Sequence, residues 1–135
     1  MATTEIPATS TPPGPSPVTE AVTRAREAFE RGVTRPVAWR ERQLDGLLRL
    51  LDEGEDRLVD ALVSDMGKPR IEGWTTDLGV TAAEVKLLRR KAAAWARPRR
   101  ASLPLVALPG KGRIHPEPLG TVLVIAPWNY PVQLL

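Results

Sequence analysis

Few side chains in this sequence are of the kinds that perform covalent chemistry. There is no cysteine and a single histidine, His115. Disulfides, thiolate metal sites and a thiol nucleophile are therefore excluded within these 135 residues, and no metal is expected because paired-histidine spacing is also missing. His115 stands beside Pro116 and Pro118 in what reads as a surface ribbon, a structural setting rather than that of a general base. Gly67-Lys68 looks like the end of a phosphate loop, but Pro69 replaces the required Ser/Thr and Leu62 stands where the first glycine should be. Lys86, Arg89, Arg90, Lys91, Arg97, Arg99 and Arg100 form a positive stretch without an intervening acid, which raises binding to nucleic acid or an acidic membrane. A solvated helix end explains it better: cations there gain ~0.3–1 kcal/mol apiece from the helix dipole, and no aromatic stacking platform accompanies them. Asn129 remains. Between Trp128 and Tyr130-Pro131 it suits a turn, yet it follows the apolar run Val122–Ala126, and open α/β sheets bind ligands beyond the carboxyl ends of their strands.

The elements that must position these residues are mostly helical. Met1 to Pro17 is built from Thr, Ser, Ala and Pro with one charge, Glu5, and reads as a disordered tail, residues 1–17. Ser16-Pro17 then supplies a cap and a first helical position, and Val18, Ala21, Val22, Ala25, Ala28 and Phe29 recur at helical spacing up to Gly32. Pro36 opens a second helix with Val37, Leu44, Leu47, Leu48 and Leu51 on one face; Gly54 breaks it. A third carries Leu58, Val59, Leu62, Val63 and Met66 and closes at Gly67 and Pro69. Ile71, Trp74, Leu78, Ala82, Val85, Leu88, Ala92 and Trp95 predict a long fourth helix ending before Pro98.

Helices thus occupy 18–97. Residues 98–121 form a connection with a short strand ribbon around Arg113–His115, interrupted by Pro104, Pro109 and Gly110. Val122-Leu123-Val124-Ile125-Ala126 is β-branched and unbroken, the pattern of a strand buried on both faces, and 122–135 is read as that strand and its following loop. Such a strand needs parallel neighbours and covering helices. No second apolar run is available to pair with it, so the sequence is expected to be a truncated part of a larger domain.

Composition bounds the class. Hydrophobic residues make up 42% and charged residues 26%, with a net charge of +3, which suits a soluble protein and does not imply nucleic acid. No apolar run approaches the ~20 residues needed to span a bilayer, and residues 1–17 lack a basic leader region, so a cytoplasmic protein is the expectation.

Glu117-Pro-Leu-Gly-Thr-Val-Leu-Val-Ile-Ala-Pro-Trp-Asn-Tyr-Pro131 resembles, nearly residue for residue, the first cofactor-domain strand and loop of aldehyde dehydrogenases. Val22-Thr-Arg-Ala-Arg-Glu-Ala-Phe-Glu-Arg-Gly-Val-Thr-Arg-Pro36 is similar to the opening of the class 3 branch, and Asp65-Met-Gly-Lys-Pro69 with Glu72 to a turn and acid of the wider family. The resemblance covers Val18 to Leu135. It implies an α/β fold: an N-terminal helical segment leading into the first strand of a Rossmann-like cofactor domain, here incomplete.

It also implies an oxidoreductase using NAD or NADP, in which an enzyme cysteine attacks a small-molecule aldehyde, hydride leaves to the nicotinamide, and a glutamate-activated water releases the acid. On this resemblance Asn129 supplies a side-chain donor to the oxyanion, where an aimed donor is worth ~3–4 kcal/mol in the barrier. Ile125, Ala126, Pro127 and Trp128 would line the nicotinamide side of the cofactor cleft, and Tyr130 the aromatic wall of the aldehyde tunnel. The complete enzyme would be a homodimer without metal, nucleic-acid or membrane partners. The 135 residues alone, lacking the cysteine and the general base, are expected to be inactive. The competing expectation is a short, non-catalytic helical module that binds a dehydrogenase subunit or nucleic acid.

Overall fold

The computed structural model describes residues 16–135; the tail expected over residues 1–17 lies almost wholly outside them. Pro17 itself belongs to the first helix, α1 (Pro17–Glu30), capped as expected by Ser16, whose hydroxyl accepts from the Thr19 N–H. The helix has no buried residue, so its predicted apolar stripe is not covered by the described residues. Among these, its C-terminal end is engaged, where Phe29 lies beside Gly120.

α2 (Val37–Glu53) starts after Pro36 and α3 (Glu55–Met66) after Gly54. Gly54 joins them because a Cβ there would lie 2.6 Å from the Leu50 carbonyl oxygen, a contact that no side chain tolerates. α3 stops at Gly67, whose φ of 66° is the left-handed conformation that glycine adopts without steric cost.

The predicted fourth helix is present but irregular. A single turn, α4 (Arg70–Glu72), runs into π-helical turns over Gly73–Gly79 and then into α5 (Val80–Trp95). Residues poor at holding an α-helix supply the reason: two glycines, and Thr75 and Thr76, whose hydroxyls donate back to the carbonyls of Ile71 and Glu72. The wider turn shifts the phase of the buried face. Gly73, Asp77 and Leu78 are buried, whereas Ile71 and Trp74 from the predicted stripe are exposed.

α5 packs chiefly on α2, and the π segment on α3. Leu51, Val59, Leu62 and Leu78 form the core where these elements meet, with Leu58, Met66, Ala82 and Val132 against it. Arg89 on α5 pairs with Asp45 on α2; the hydrogen bond and the charge of that carboxylate hold the guanidinium above its ordinary pKa.

Beyond α5 the chain forms a two-stranded antiparallel ribbon, β1 (Arg99–Ala101) and β2 (Gly112–Ile114), with Arg100 opposite Arg113. β2 sits where the sequence predicts a short strand. Over Val122–Ala126, where the sequence predicts a strand, the span joins no ladder among the described residues and is not buried on both faces, Leu123 being 84% and Ile125 85% exposed. A strand requires an edge to pair with, and the only ladder among the described residues is the ribbon β1–β2.

Candidate functional site

The turn that ends α3 determines where Lys68 goes. The Gly67 N–H closes on the Val63 carbonyl at 2.9 Å, and Pro69, with φ −55°, starts α4 immediately afterwards. Chain reversal over these residues returns Lys68 alongside the π segment. Its Nζ lies 2.8 Å from Asp77 Oδ2, with the lysine side chain 10% exposed and the aspartate 0%. A charge removed from water this completely persists only when paired and hydrogen-bonded. Asp77 satisfies the condition with two donors, Lys68 and the Val132 N–H, which reaches Oδ1 at 3.3 Å; the Thr76 hydroxyl, whose proton goes to the Glu72 carbonyl, stands 3.4 Å from Oδ2.

Lys68 is used as completely. An ammonium has three N–H donors. One goes to Asp77, another to the main-chain carbonyl of Asn129 at 2.8 Å, and the nitrogen also stands over the Tyr130 ring, 4.1 Å from its centroid. Cation–π attraction of this kind is worth about 0.5–1 kcal/mol at exposed sites and more when desolvated. The loop after Pro127 is therefore tied to the helical core through Asn129, Tyr130 and Val132. It is further closed on itself by the Leu134 N–H, which donates to the Tyr130 carbonyl at 3.0 Å.

Of the residues singled out in the sequence, Asn129 and Tyr130 come together around Lys68, Asn129 exposed and Tyr130 half-buried. The side-chain amide of Asn129 makes no hydrogen bond to the described residues, and only its main-chain carbonyl is engaged, by Lys68. Ile125, Pro127 and Trp128 are exposed, Trp128 to 80%, and Ala126 is half-buried. These four form an open span rather than an enclosed cleft. A cavity of about 360 Å3 between α2, the π segment and α5, lined by Leu48, Leu51, Trp74, Leu78 and Lys86 among others, includes none of the six.

Lys68 and Asp77 are absent from the sequence-derived site. Lys68 is noticed there only as part of a Gly-Lys-Pro turn, and Asp77 not at all, since on a regular α-helix it falls beside the apolar stripe. The available signal was weak: a lone acid in Gly73-Trp-Thr-Thr-Asp-Leu-Gly79, a run of poor helix formers.

No helix among the described residues is long and apolar enough to cross a membrane. The chain is 40% identical over 118 residues to aldehyde dehydrogenase family 3 member B1 of Homo sapiens, covering 87% of this chain and 25% of that protein. It is 36% identical over 117 residues to family 3 member F1 of Arabidopsis thaliana, covering 87% and 24%. The structure superposes on the substrate-bound state of Staphylococcus aureus AldH with a TM-score of 0.77 at 34% identity, over 85% of this chain and 25% of that one. The chain thus spans about a quarter of the length of the curated relatives it matches. With the sequence model of the aldehyde dehydrogenase family matching residues 2–135, this chain belongs to that family.

Proposed function

We propose that these residues form the amino-terminal part of an NAD(P)-dependent enzyme that oxidises aldehydes to carboxylic acids, and that Asn129 stabilises the oxyanion formed in that reaction. One observation carries the reading. The backbone of Asn129 is fixed by Lys68 while its side-chain amide stays exposed and without a partner among the described residues, which is the state of a donor held ready for a ligand atom rather than spent on the fold. A neutral amide suits the task, since a carboxylate in its place would repel the developing charge.

Ile125, Ala126, Pro127 and Trp128 are proposed as one wall of the nicotinamide side of the cofactor cleft. Their exposure fits that use, because an apolar ring face can lie on them without displacing any internal packing. A nicotinamide held there would supply the hydride acceptor for the oxidation. Tyr130, held against Lys68 by its ring face, is proposed to border the aldehyde path. The sequence contains no cysteine, so the thiol nucleophile of this reading must come from elsewhere in the complete enzyme. Medium or long aliphatic and aromatic aldehydes are the proposed substrates, a homodimer the proposed assembly, and the cytoplasm the proposed location.

The test begins with the coding DNA, read through and beyond Leu135, and expression of the complete reading frame. In that enzyme Asn129→Ala is expected to lower kcat by ~10²–10³-fold with little change in KM. An unchanged kcat removes the oxyanion role.

A further inference from the structure

We propose that Lys68 and Asp77 are positioning residues that act through Asn129: a buried ion pair that clasps the loop from below and sets where the asparagine amide can reach. The inference rests on the oxyanion reading for its catalytic consequence, but the clasp itself stands on geometry. Asp77 is fully buried. Its two oxygens receive Lys68 from the α3–α4 turn and the Val132 N–H from the far end of the chain. Lys68 in turn holds the carbonyl of the very residue whose side chain is proposed to do the chemistry.

Fixing that carbonyl fixes the peptide plane after Asn129, and Tyr130 under the ammonium restrains the next residue. Asn129 therefore keeps little freedom beyond its own two side-chain torsions. Oxyanion donors are effective in proportion to such preorganisation, because they need no rearrangement as charge develops. The π-helical turns belong to the same device. They rotate Asp77 off the solvent-facing side and into the core, and single-turn π distortions within α-helices recur at functional sites for this kind of reason.

A merely structural ion pair would also hold the loop, so the experiment must separate the two roles. Backbone amide exchange in the 135-residue chain reads the clasp directly. Lys68→Met is expected to speed exchange at Val132 roughly tenfold or more, as expected for losing hydrogen bonds to a charged group, while amides at Leu62 and Leu78 keep their protection. Lys68→Arg, which retains the cation, is expected to stay close to the parent chain. If Lys68→Met loses the helical signal altogether, Asp77→Ala carries the test, because it removes the acceptor of the Val132 N–H and the partner of Lys68 together. Unchanged exchange at Val132 in a folded variant overturns the clasp.

Kinetics of the enzyme from the complete reading frame then read the positioning role. Lys68→Met is expected to lower kcat more than it raises KM, and to have no further effect on kcat when Asn129 is already alanine, since residues that act through one another are not additive. Equal losses in both backgrounds mean that Lys68 does not act through Asn129, and the positioning role fails while the oxyanion role stands. An Asn129→Ala enzyme with undiminished kcat sinks the oxyanion role instead, and amide exchange still decides the clasp.

Discussion

Gly46 and Gly73 are both helical glycines in contact with nothing charged, and replacing each by alanine should move stability in opposite directions. In α2 a Cβ built on Gly46 meets no atom within 4 Å, so Gly46→Ala gains only helix propensity, about 0.8–1.0 kcal/mol. At Gly73 the same Cβ would lie 3.2 Å from Leu62 Cδ1 and 3.5 Å from Leu62 Cβ, and Leu62 is a core residue at 4% exposure with no room to withdraw. Over-packing of this kind costs ~1–3 kcal/mol, which offsets the propensity gain and leaves Gly73→Ala neutral to about 2 kcal/mol less stable. Amide hydrogen exchange resolves both effects locally and needs no single global transition. Protected amides of α2 should exchange about four to five times more slowly in Gly46→Ala. Those of Leu62 and Leu78 should exchange up to roughly thirty times faster in Gly73→Ala, with the Val132 amide following them because Asp77 moves with the π segment. Equal slowing in the two variants would refute the packing of Gly73 on Leu62, and with it the phase of the helix that buries Asp77.

Two further outcomes are expected of the 135-residue chain expressed by itself. It should show no NAD(P)-linked aldehyde oxidation above background in an absorbance assay at the reduced-nicotinamide band, because it has no thiol nucleophile; measurable turnover by the pure chain contradicts this. Ile125→Lys should move protein from the pellet to the soluble fraction, because Val122–Ile125 is an exposed apolar β-forming run and a charge within it opposes edge pairing; an unaltered soluble fraction counts against aggregation through this span.

The helices were legible because their signals are local. Ser16 with Pro17, Pro36, Gly54 and Gly67 with Pro69 each act on the few residues around them, and the structure places helix ends at all of these points. The π-helical turns were not legible, since Ile71, Trp74 and Leu78 fit an ordinary α stripe and only packing of Gly73 and Gly79 against Leu62 and Trp74 reveals the extra residue in the turn. Val122–Ala126 has the composition of a buried strand, but strand identity is a property of a pair, and composition cannot supply the partner. The loop around Asn129 was recognisable through its resemblance to a known motif. Lys68 and Asp77 were invisible by any local rule, because the contacts that define them join positions 61 and 55 residues apart.

Every group that receives the Asn129 loop precedes it in the chain, and this orders events during synthesis on the ribosome. Asp77 is made 55 residues before Val132, which at about 5–20 residues per second is roughly three to eleven seconds. Helices form in about a microsecond, so α2, α3 and the π segment have time to assemble an anchoring site before its ligand leaves the exit tunnel. The loop can then dock as it emerges, without waiting for any residue translated later. A vectorial sequence of this kind places the asparagine early, with Gly120 beside Phe29 at one end of the apolar span and the Lys68 anchor at the other.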